Sequence, residues 1–444
     1  MASQAESEFD RVVADAIAHH TAGRLDQAEA AYREALSLSP RHPAVTHNLG
    51  VLAAAQGRHL AAIGHFDDAI AAEPQYASAH HNRAVAHQAL GQRRKAIQDL
   101  GRVCTLEPGH YDAHRALGFL WLVEGDRDRA LDHFARTYEL RRGEDRTGIA
   151  TKSLTTATRE KLLHDAEQFR YLAARRRGGQ RFETLARSYE EVAKGAPEKS
   201  APLSEEQIER LGEDYNTAIS ICVAPELAGS AVGNRPDRDV LIQRFRVQQA
   251  GVVWFDDLLT PAALLGLRRY LLESTIWHDF SHIGGFVASY LEDGLACPLL
   301  LQIADEIRGT FPELLEKHPL TQAWAFKGLQ AKAAIDAHAD DAAVSINFWV
   351  TPNQANLNPD RSGLMVCQVP PPAQWQVKDY NSDKEPIAEF LERRTSSNLI
   401  VPYRENRAVL FESRLFHRSD APEFATGYEN HRMNLTLLFG RSAN

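Results

Sequence analysis

Cysteine is scarce. The 444-residue chain has four: Cys104, Cys222, Cys297 and Cys367. They lie far apart and none forms a CxxC pair. That excludes a thiolate zinc site and a disulfide framework, and it points to a reducing compartment. Long apolar runs are missing too. No window approaches the roughly 20 apolar residues that span a bilayer. The N-terminal MASQAESEFDRVV has no basic stretch followed by an apolar core, so no secretory signal is read there. Positive charge is in deficit: the net charge is −9, against a dedicated nucleic-acid binder with a basic face. Arg175, Arg176 and Arg177 form the main basic cluster. It reads as a solvated helix end or a contact for an acidic partner. No HExxH occurs, so a zinc hydrolase would lack its helical general base. The expectation is a cytoplasmic, soluble protein that binds neither nucleic acid nor membrane.

What is present starts with a repeat. Gly23, Gly57, Gly91 and Gly125 stand 34 residues apart, as do Ala28, Ala62, Ala96 and Ala130. Pro40, Pro74 and Pro108 keep the same period, and so do Tyr32, Phe66, Leu100 and Phe134. The glycine suits a turn between two helices, the alanine lets helices approach, and the proline closes a unit. This pattern resembles the tetratricopeptide (TPR) repeat, two antiparallel helices per unit. The fourth repeat has Arg142 in place of the closing proline, so the regular array ends nearby. Residues 1–142 are expected to be an all-α solenoid of about four repeats. His47, His81 and Arg115 share one first-helix position, with Asn48 and Asn82 repeating beside them. They are either wet helix positions or the wall of a groove for a peptide or partner protein.

Residues 143–240 read as a helical connector. Residues 143–155 are polar and breaker-rich. Apolar stripes at Leu162, Leu163, Ala166, Phe169 and Leu172, and at Phe182, Leu185, Ala186, Tyr189 and Val192, predict two helices that cap the last repeat. A third helix is expected over about 204–220, then a loop over 224–239. From about 245 a strand and two helices follow. Beyond 320, short β-like runs at 322–328, 343–350, 364–369, 407–412 and 432–439 predict an α+β domain built on a barrel or sandwich, covering 241–444.

Within that domain, HADDAAVSINFWVTP places His338 and Asp340 at the mouth of a strand. Residues two apart in an extended chain face one side, so both can meet one metal ion. NRAVLFESRLFHRSD supplies His417 as a third ligand. In HRMNLTLLFGR, alternation puts Arg432, Asn434 and Thr436 on one face. An arginine there suits a two-pronged grip on a carboxylate. Two histidines and one carboxylate with open positions suit non-heme Fe(II). Asp341, His431, and Arg418 or Arg441 are the substitutes for Asp340, His417 and Arg432. Asn347 and Trp349 share a strand face and either line the pocket or pack. Tyr290, Glu292 and Asp293, after Gly284-Gly285, are candidates for a lid or substrate edge.

At this point residues 245–444 resemble the 2-oxoglutarate/Fe(II)-dependent dioxygenases, whose fold is a double-stranded β-helix of jelly-roll or cupin-like type. The whole chain resembles bacterial proteins that join TPR repeats to such a domain. The resemblance implies His338, Asp340 and His417 as iron ligands, with Arg432, and beside it Asn434 and Asn347, holding 2-oxoglutarate. It implies O2 as co-substrate, with ascorbate supportive, release of succinate and CO2, and hydroxylation of an unactivated C–H bond. Halogenating relatives replace the acidic ligand with a small residue, so Asp340 speaks against halogenation. Aspartyl/asparaginyl hydroxylases also pair TPR repeats with an oxygenase but typically lack that carboxylate, so their substrate is not carried over. The leading expectation is hydroxylation of a peptide or protein side chain recruited by the repeats. The rivals are a small-molecule biosynthetic substrate, or a non-catalytic TPR interaction protein with a decayed oxygenase domain.

Overall fold

A computed structural model of the chain describes residues 2–144, 154–175, 178–233, 237–248, 251–281, 285–329, 333–381, 384–392 and 398–441. Most of the expected linker at 143–155, Arg176, Arg177, Gly284 and part of the expected loop at 224–239 lie outside the described residues. The chain divides into two compact units, residues 1–120 and 121–444.

Helices pair in the 34-residue rhythm: α1 (Ala2–Thr21) with α2 (Leu25–Leu38), α3 (Pro43–Ala55) with α4 (His59–Ala72), and α5 (Ala77–Ala89) with α6 (Arg93–Leu106). Next in the chain come α7 (Tyr111–Glu124) and α8 (Arg127–Arg142). Gly23, Gly57, Gly91 and Gly125 turn each pair at φ of +71°, +74°, +70° and +82°, a region that costs a Cβ-bearing residue strain. Ala28, Ala62, Ala96 and Ala130 are fully buried. Gly50 lets α3 lie close to α4, since a Cβ there would stand 2.5 Å from the Phe66 ring.

His47 is buried. Its Nδ1 pairs with Asn48 Oδ1 at 3.2 Å and its Nε2 with Asn82 Nδ2 at 2.8 Å. This side chain is committed to linking successive repeats. Burial lowers the His47 pKa. It lowers that of half-buried His81 too, with neighbouring His110 adding to the effect. Arg115 is exposed.

In the second unit, α8 runs on to Arg142, where earlier repeats carry proline. Arg142 is buried. Its Nε donates to Asp293 Oδ1 at 2.9 Å and its Nη2 to Asp293 Oδ2 at 2.8 Å. Burial alone would push the Asp293 carboxyl up, but the guanidinium outweighs it and brings it down to about 2. Tyr138, one turn earlier, donates to the Thr275 carbonyl at 2.9 Å.

The two connector helices, α9 (Arg159–Ala174) and α10 (Gly179–Gly195), join through Phe169, Phe182 and Tyr189. The helix expected over 204–220 is shorter, α11 (Glu205–Leu211). A Ser204–Gln207 capping box starts it. Gly212 at φ +70° ends it, and the chain turns before Tyr215.

The strands are β1 (Thr156–Ala157), β2 (Ala201–Pro202), β3 (Val252–Phe255), β4 (Phe286–Tyr290), β5 (Leu320–Gly328) and β6 (Val344–Trp349). They continue with β7 (Leu364–Cys367), β8 (Asn398–Val401), β9 (Ala408–Glu412), β10 (Phe416–Ser419) and β11 (Met433–Phe439). β1 and β2 pair alone. The rest form a six-stranded sheet, β3-β9-β6-β11-β5-β4, and a three-stranded sheet, β10-β7-β8. Every pairing is antiparallel. Phe411, Val409 and Trp349 of the large sheet share one core with Leu364, Val366 and Val401 of the small one. Burying each such side chain is worth about 1.5–3 kcal/mol. Register sets Asn347 opposite Thr436 and Trp349 opposite Asn434. It also sets Trp324 opposite Thr436 and Phe326 opposite Asn434. One face of the large sheet therefore gathers polar and aromatic side chains toward the small sheet.

Lys327 points to the reverse face. It is fully buried. Its Nζ lies 3.2 Å from the Tyr428 ring centroid and 5.6 Å from that of Trp277, and it has no hydrogen-bond partner among the described residues. Burial drives its ammonium well below the ordinary lysine range.

Two outcomes follow from these buried charges. Lys327→Met is expected to raise stability at pH 7 by on the order of 1–3 kcal/mol, because it removes a buried polar group without a partner. The folded-state pKa lies below the unfolded value of about 10.4, so the unfolded chain binds the extra proton and stability rises with pH up to that value. The variant should flatten this rise, which urea midpoints at pH 7 and 9.5 will show. Conversely, Arg142→Ala should cost about 3–5 kcal/mol by stranding Asp293. The wild-type pair is at full strength above the unfolded carboxyl pKa near 4 and is lost as pH falls toward 2. Acid titration followed by circular dichroism reads that window.

Candidate metal centre

Two backbone hydrogen bonds create the site. His338 N donates to His417 O at 3.0 Å, and His417 N donates to His338 O at 2.8 Å. This isolated antiparallel bridge joins the chain entering β6 to β10. Residues directly opposite in such a pair project to the same face, and the two imidazole centroids stand 4.3 Å apart. Each ring donates Nδ1–H to the carbonyl two residues before it: His338 to Asp336 O at 2.9 Å, His417 to Leu415 O at 3.0 Å. Those bonds fix the tautomer and leave both Nε2 lone pairs free. Burial, with His338 beside it, pushes the His417 imidazole down to about 4. It is neutral at pH 7, the form that ligates.

Asp340 is held by the next rung, its N donating to Ser413 O at 2.8 Å. Its Oδ1 lies 3.6 Å from His338 Nε2 and its Oδ2 lies 3.6 Å from His417 Nε2. The three groups offer ligand atoms that all lie within 4.8 Å of one another. Asp340 is buried, and its Oδ1 has no hydrogen-bond partner. Separations of 3.6 Å are too long for hydrogen bonds. They are close to the roughly 3 Å between adjacent donors on an octahedral ion with bonds of about 2.1 Å. Two imidazoles with their Nε2 atoms turned to one point and a carboxylate with a free buried oxygen fit a divalent metal and leave one side of it open.

Three of the four substitutes fall away. Asp341 is exposed and turns toward Tyr380. His431 spends Nδ1 on Gly328 O at 2.6 Å and Nε2 on Glu167 Oε2 at 2.9 Å. Arg418 lies opposite Met365 and its Nε reaches Met365 Sδ at 3.3 Å. Strand alternation turns that side chain from the His417 face, yet Arg418 still forms part of the wall of the cleft beside the two histidines. Arg441 is exposed beyond the far end of β11.

A cleft of about 330 Å³ lies beside the two histidines, walled by Trp324, Phe326, Asn347, Arg432, Asn434 and Thr436 among others. Arg432 is buried. Its Nε donates to Ser362 O at 3.1 Å, Nη2 to Gly363 O at 3.2 Å and Nη1 to Asn434 Oδ1 at 3.2 Å. It has no carboxylate partner among the described residues. Burial pushes its guanidinium down to about 10. Asn347 Nδ2 donates to Thr436 Oγ1 at 3.1 Å, while its Oδ1 is unpartnered. A buried cation paired only with neutral acceptors is a seat for an anion.

Other sequence candidates do not reach the cleft. Asp293 is taken by Arg142, Tyr290 donates to Asp279 Oδ2 at 3.0 Å, and Glu292 pairs with Gln322. Arg175 stacks 3.6 Å over the Tyr171 ring and meets Glu429 at 3.4 Å, so it is folded onto its own chain. Sequence reasoning missed Ser345 and Ser413 beside Asp340, and the aromatic pair Trp324 and Phe326. Alternation offered a signal for Ser345, which shares a face with Asn347 two residues on.

Comparison with known proteins bears on the N-terminal part. A tetratricopeptide repeat family model matches residues 13–77 and 81–145. No curated protein matches the chain. Among solved structures, the MamA 41-end from Desulfovibrio magneticus RS-1 is 24% identical, with 31% of this chain and 77% of that one covered, at a TM-score of 0.29. YrrB, described as a TPR protein with an unusual peptide-binding site, is 22% identical over 29% of this chain and 67% of its own, at 0.28. The first TPR of Spaghetti (RPAP3) bound to the HSP90 peptide SRMEEVD is 21% identical over 27% and 94%, at 0.26. The family match and the helices make the N-terminal region an all-helical array of tetratricopeptide repeats, followed by a region of antiparallel sheets.

Proposed function

We propose that the chain is an Fe(II)/2-oxoglutarate-dependent dioxygenase that hydroxylates an unactivated C–H bond. The observation that carries this reading is the convergence of His338, Asp340 and His417 beside a cleft whose buried Arg432 lacks an anionic partner. In the same reading the two sheets are the walls of a double-stranded β-helix.

Iron at this site would supply dioxygen activation coupled to the oxidative decarboxylation of 2-oxoglutarate to succinate and CO2. The chain's own residues do the rest. His338 and His417 present Nε2 in fixed orientation because their Nδ1 protons are committed. Asp340 offsets part of the ion's charge. Arg432, held by three neutral acceptors, receives the far carboxylate of the co-substrate with its remaining N–H groups. Asn434 fixes the guanidinium plane. Asn347 offers a free carbonyl oxygen to a donor in the cleft. Trp324 and Phe326 exclude water from one wall. The TPR array makes a peptide or protein side chain the substrate class, recruited by the repeats and delivered to the cleft.

Purified protein with Fe(II), 2-oxoglutarate, ascorbate and air should form succinate, whereas Asp340→Ala and His338→Ala should form none and bind no Fe(II) anaerobically while keeping the wild-type circular dichroism spectrum. Undiminished succinate from either variant would sink the ligand assignment. Arg432→Met should raise the apparent KM for 2-oxoglutarate by at least about tenfold, since a charged pair is lost. Its iron affinity should not change. An unchanged KM would remove Arg432 from co-substrate binding.

A further inference from the structure

The carboxylate of Asp340 is not free to choose how it binds. Ser345 Oγ donates to Asp340 Oδ2 at 2.7 Å. Ser413 Oγ lies 2.8 Å from Ser345 Oγ. A hydroxyl has one proton, and Ser345 spends its proton on the carboxylate, so the Ser413 hydroxyl donates to Ser345. The chain Ser413–Ser345–Asp340 therefore has one direction. Both serines are fully buried, so water does not compete for either hydroxyl.

The two ends of this chain are anchored independently. Ser345 sits within β6 between buried neighbours, opposite Phe411 of β9 and Leu438 of β11. The Ser413 backbone accepts from Asp340 N at 2.8 Å and donates to Ala343 O at 3.2 Å. The other carboxylate oxygen, Oδ1, is buried and unpartnered. One oxygen of Asp340 is occupied by the protein and the other is bare.

We propose that Ser345, backed by Ser413, is a positioning residue that makes Asp340 a one-oxygen metal ligand, presenting Oδ1 and withholding Oδ2. This rests on the reading of His338, Asp340 and His417 as a metal site. Removing the Ser345 hydroxyl frees Oδ2. Asp340 then turns about its side-chain torsions or binds through both oxygens, taking a coordination position that the intact site keeps open. Outer-shell partners of this kind are worth about 10–100-fold in metal affinity.

The test uses the full chain and Co(II) as the probe, with anaerobic Fe(II) titration beside it. Wild type, Ser345→Ala, Ser345→Thr and Asp340→Ala are compared for dissociation constant and for the visible d–d spectrum of bound Co(II). Ser345→Ala should weaken binding at least tenfold and change the spectrum. Ser345→Thr, which keeps a hydroxyl, should return both to within about twofold of wild type. A wild-type constant and spectrum in Ser345→Ala would overturn the relay while leaving the metal site in place. Equal loss in Ser345→Ala and Ser345→Thr would overturn it as well, by making the effect one of packing. If wild type binds no more metal than Asp340→Ala, the metal reading itself falls and takes the relay with it.

Discussion

The candidate centre hangs on the two-hydrogen-bond bridge between His338 and His417. Neither residue lies in a long strand. His338 precedes β6 by six residues, and β10 is four residues long. Isolated elements that short would not hold two imidazoles side by side. The bridge and the next rung, Asp340 N to Ser413 O, sew the entrance of the large sheet to the edge of the small one. Each bond contributes only about 0.5–1.5 kcal/mol net. Their geometric effect is larger, because all three candidate ligands sit on adjacent rungs of one seam. A slip of one residue would turn one histidine away from the other.

Three of the buried cations in the second unit show how context separates structure from function. Arg142 meets Asp293 through both arms, which satisfies charge and geometry and leaves nothing for a ligand. Lys327 meets only aromatic faces and is driven toward its neutral form. Arg432 is intermediate. It is fixed by two carbonyls and an amide oxygen, yet its charge has no answer within the described chain. A guanidinium held in place and electrostatically unpaired is preorganised for an anion, and it lies in the cleft beside the histidines. The contrast singles out Arg432 without reference to any other protein.

The repeat was legible in the sequence because its signal is redundant: four residue types keep one period, and each has a backbone or packing reason. The five strand-like runs after residue 320 were legible from apolar alternation, and β5, β6, β7, β9 and β11 lie on them. β4, β8 and β10 escaped because they are four or five residues long and carry residues such as His417, Arg418 and Asn398, which dilute the pattern. The helix expected over 204–220 ends early because Gly212 takes a left-handed φ that stops it at Leu211. Within the site, His338 and Asp340 follow from two-residue spacing. Their meeting with His417 rests on a long-range pairing that no local pattern encodes. Ser345 hid inside an apolar run where a lone serine is ordinary. Tyr290, Glu292 and Asp293 misled because a Gly-Gly pair followed by acids looks like a loop, whereas Asp293 serves a buried ion pair.

The arginine at position 142 has a consequence for where this protein can be cut and rejoined. Sequence period places the end of the repeat array at that residue, which invites a module boundary there. Yet Tyr138 and Arg142 bury their polar ends among Thr275, His278 and Asp293. The final helix of the array is thus read twice, once by the repeat that generates it and once by the sheet region that needs it. A chimera that replaces residues up to 142 with another solenoid would leave the buried Asp293 carboxylate without its arginine and the His278 Nε2 without Tyr138. The interchangeable segment ends earlier than the periodicity does, and any transplant of the sheet region must bring α8 with it.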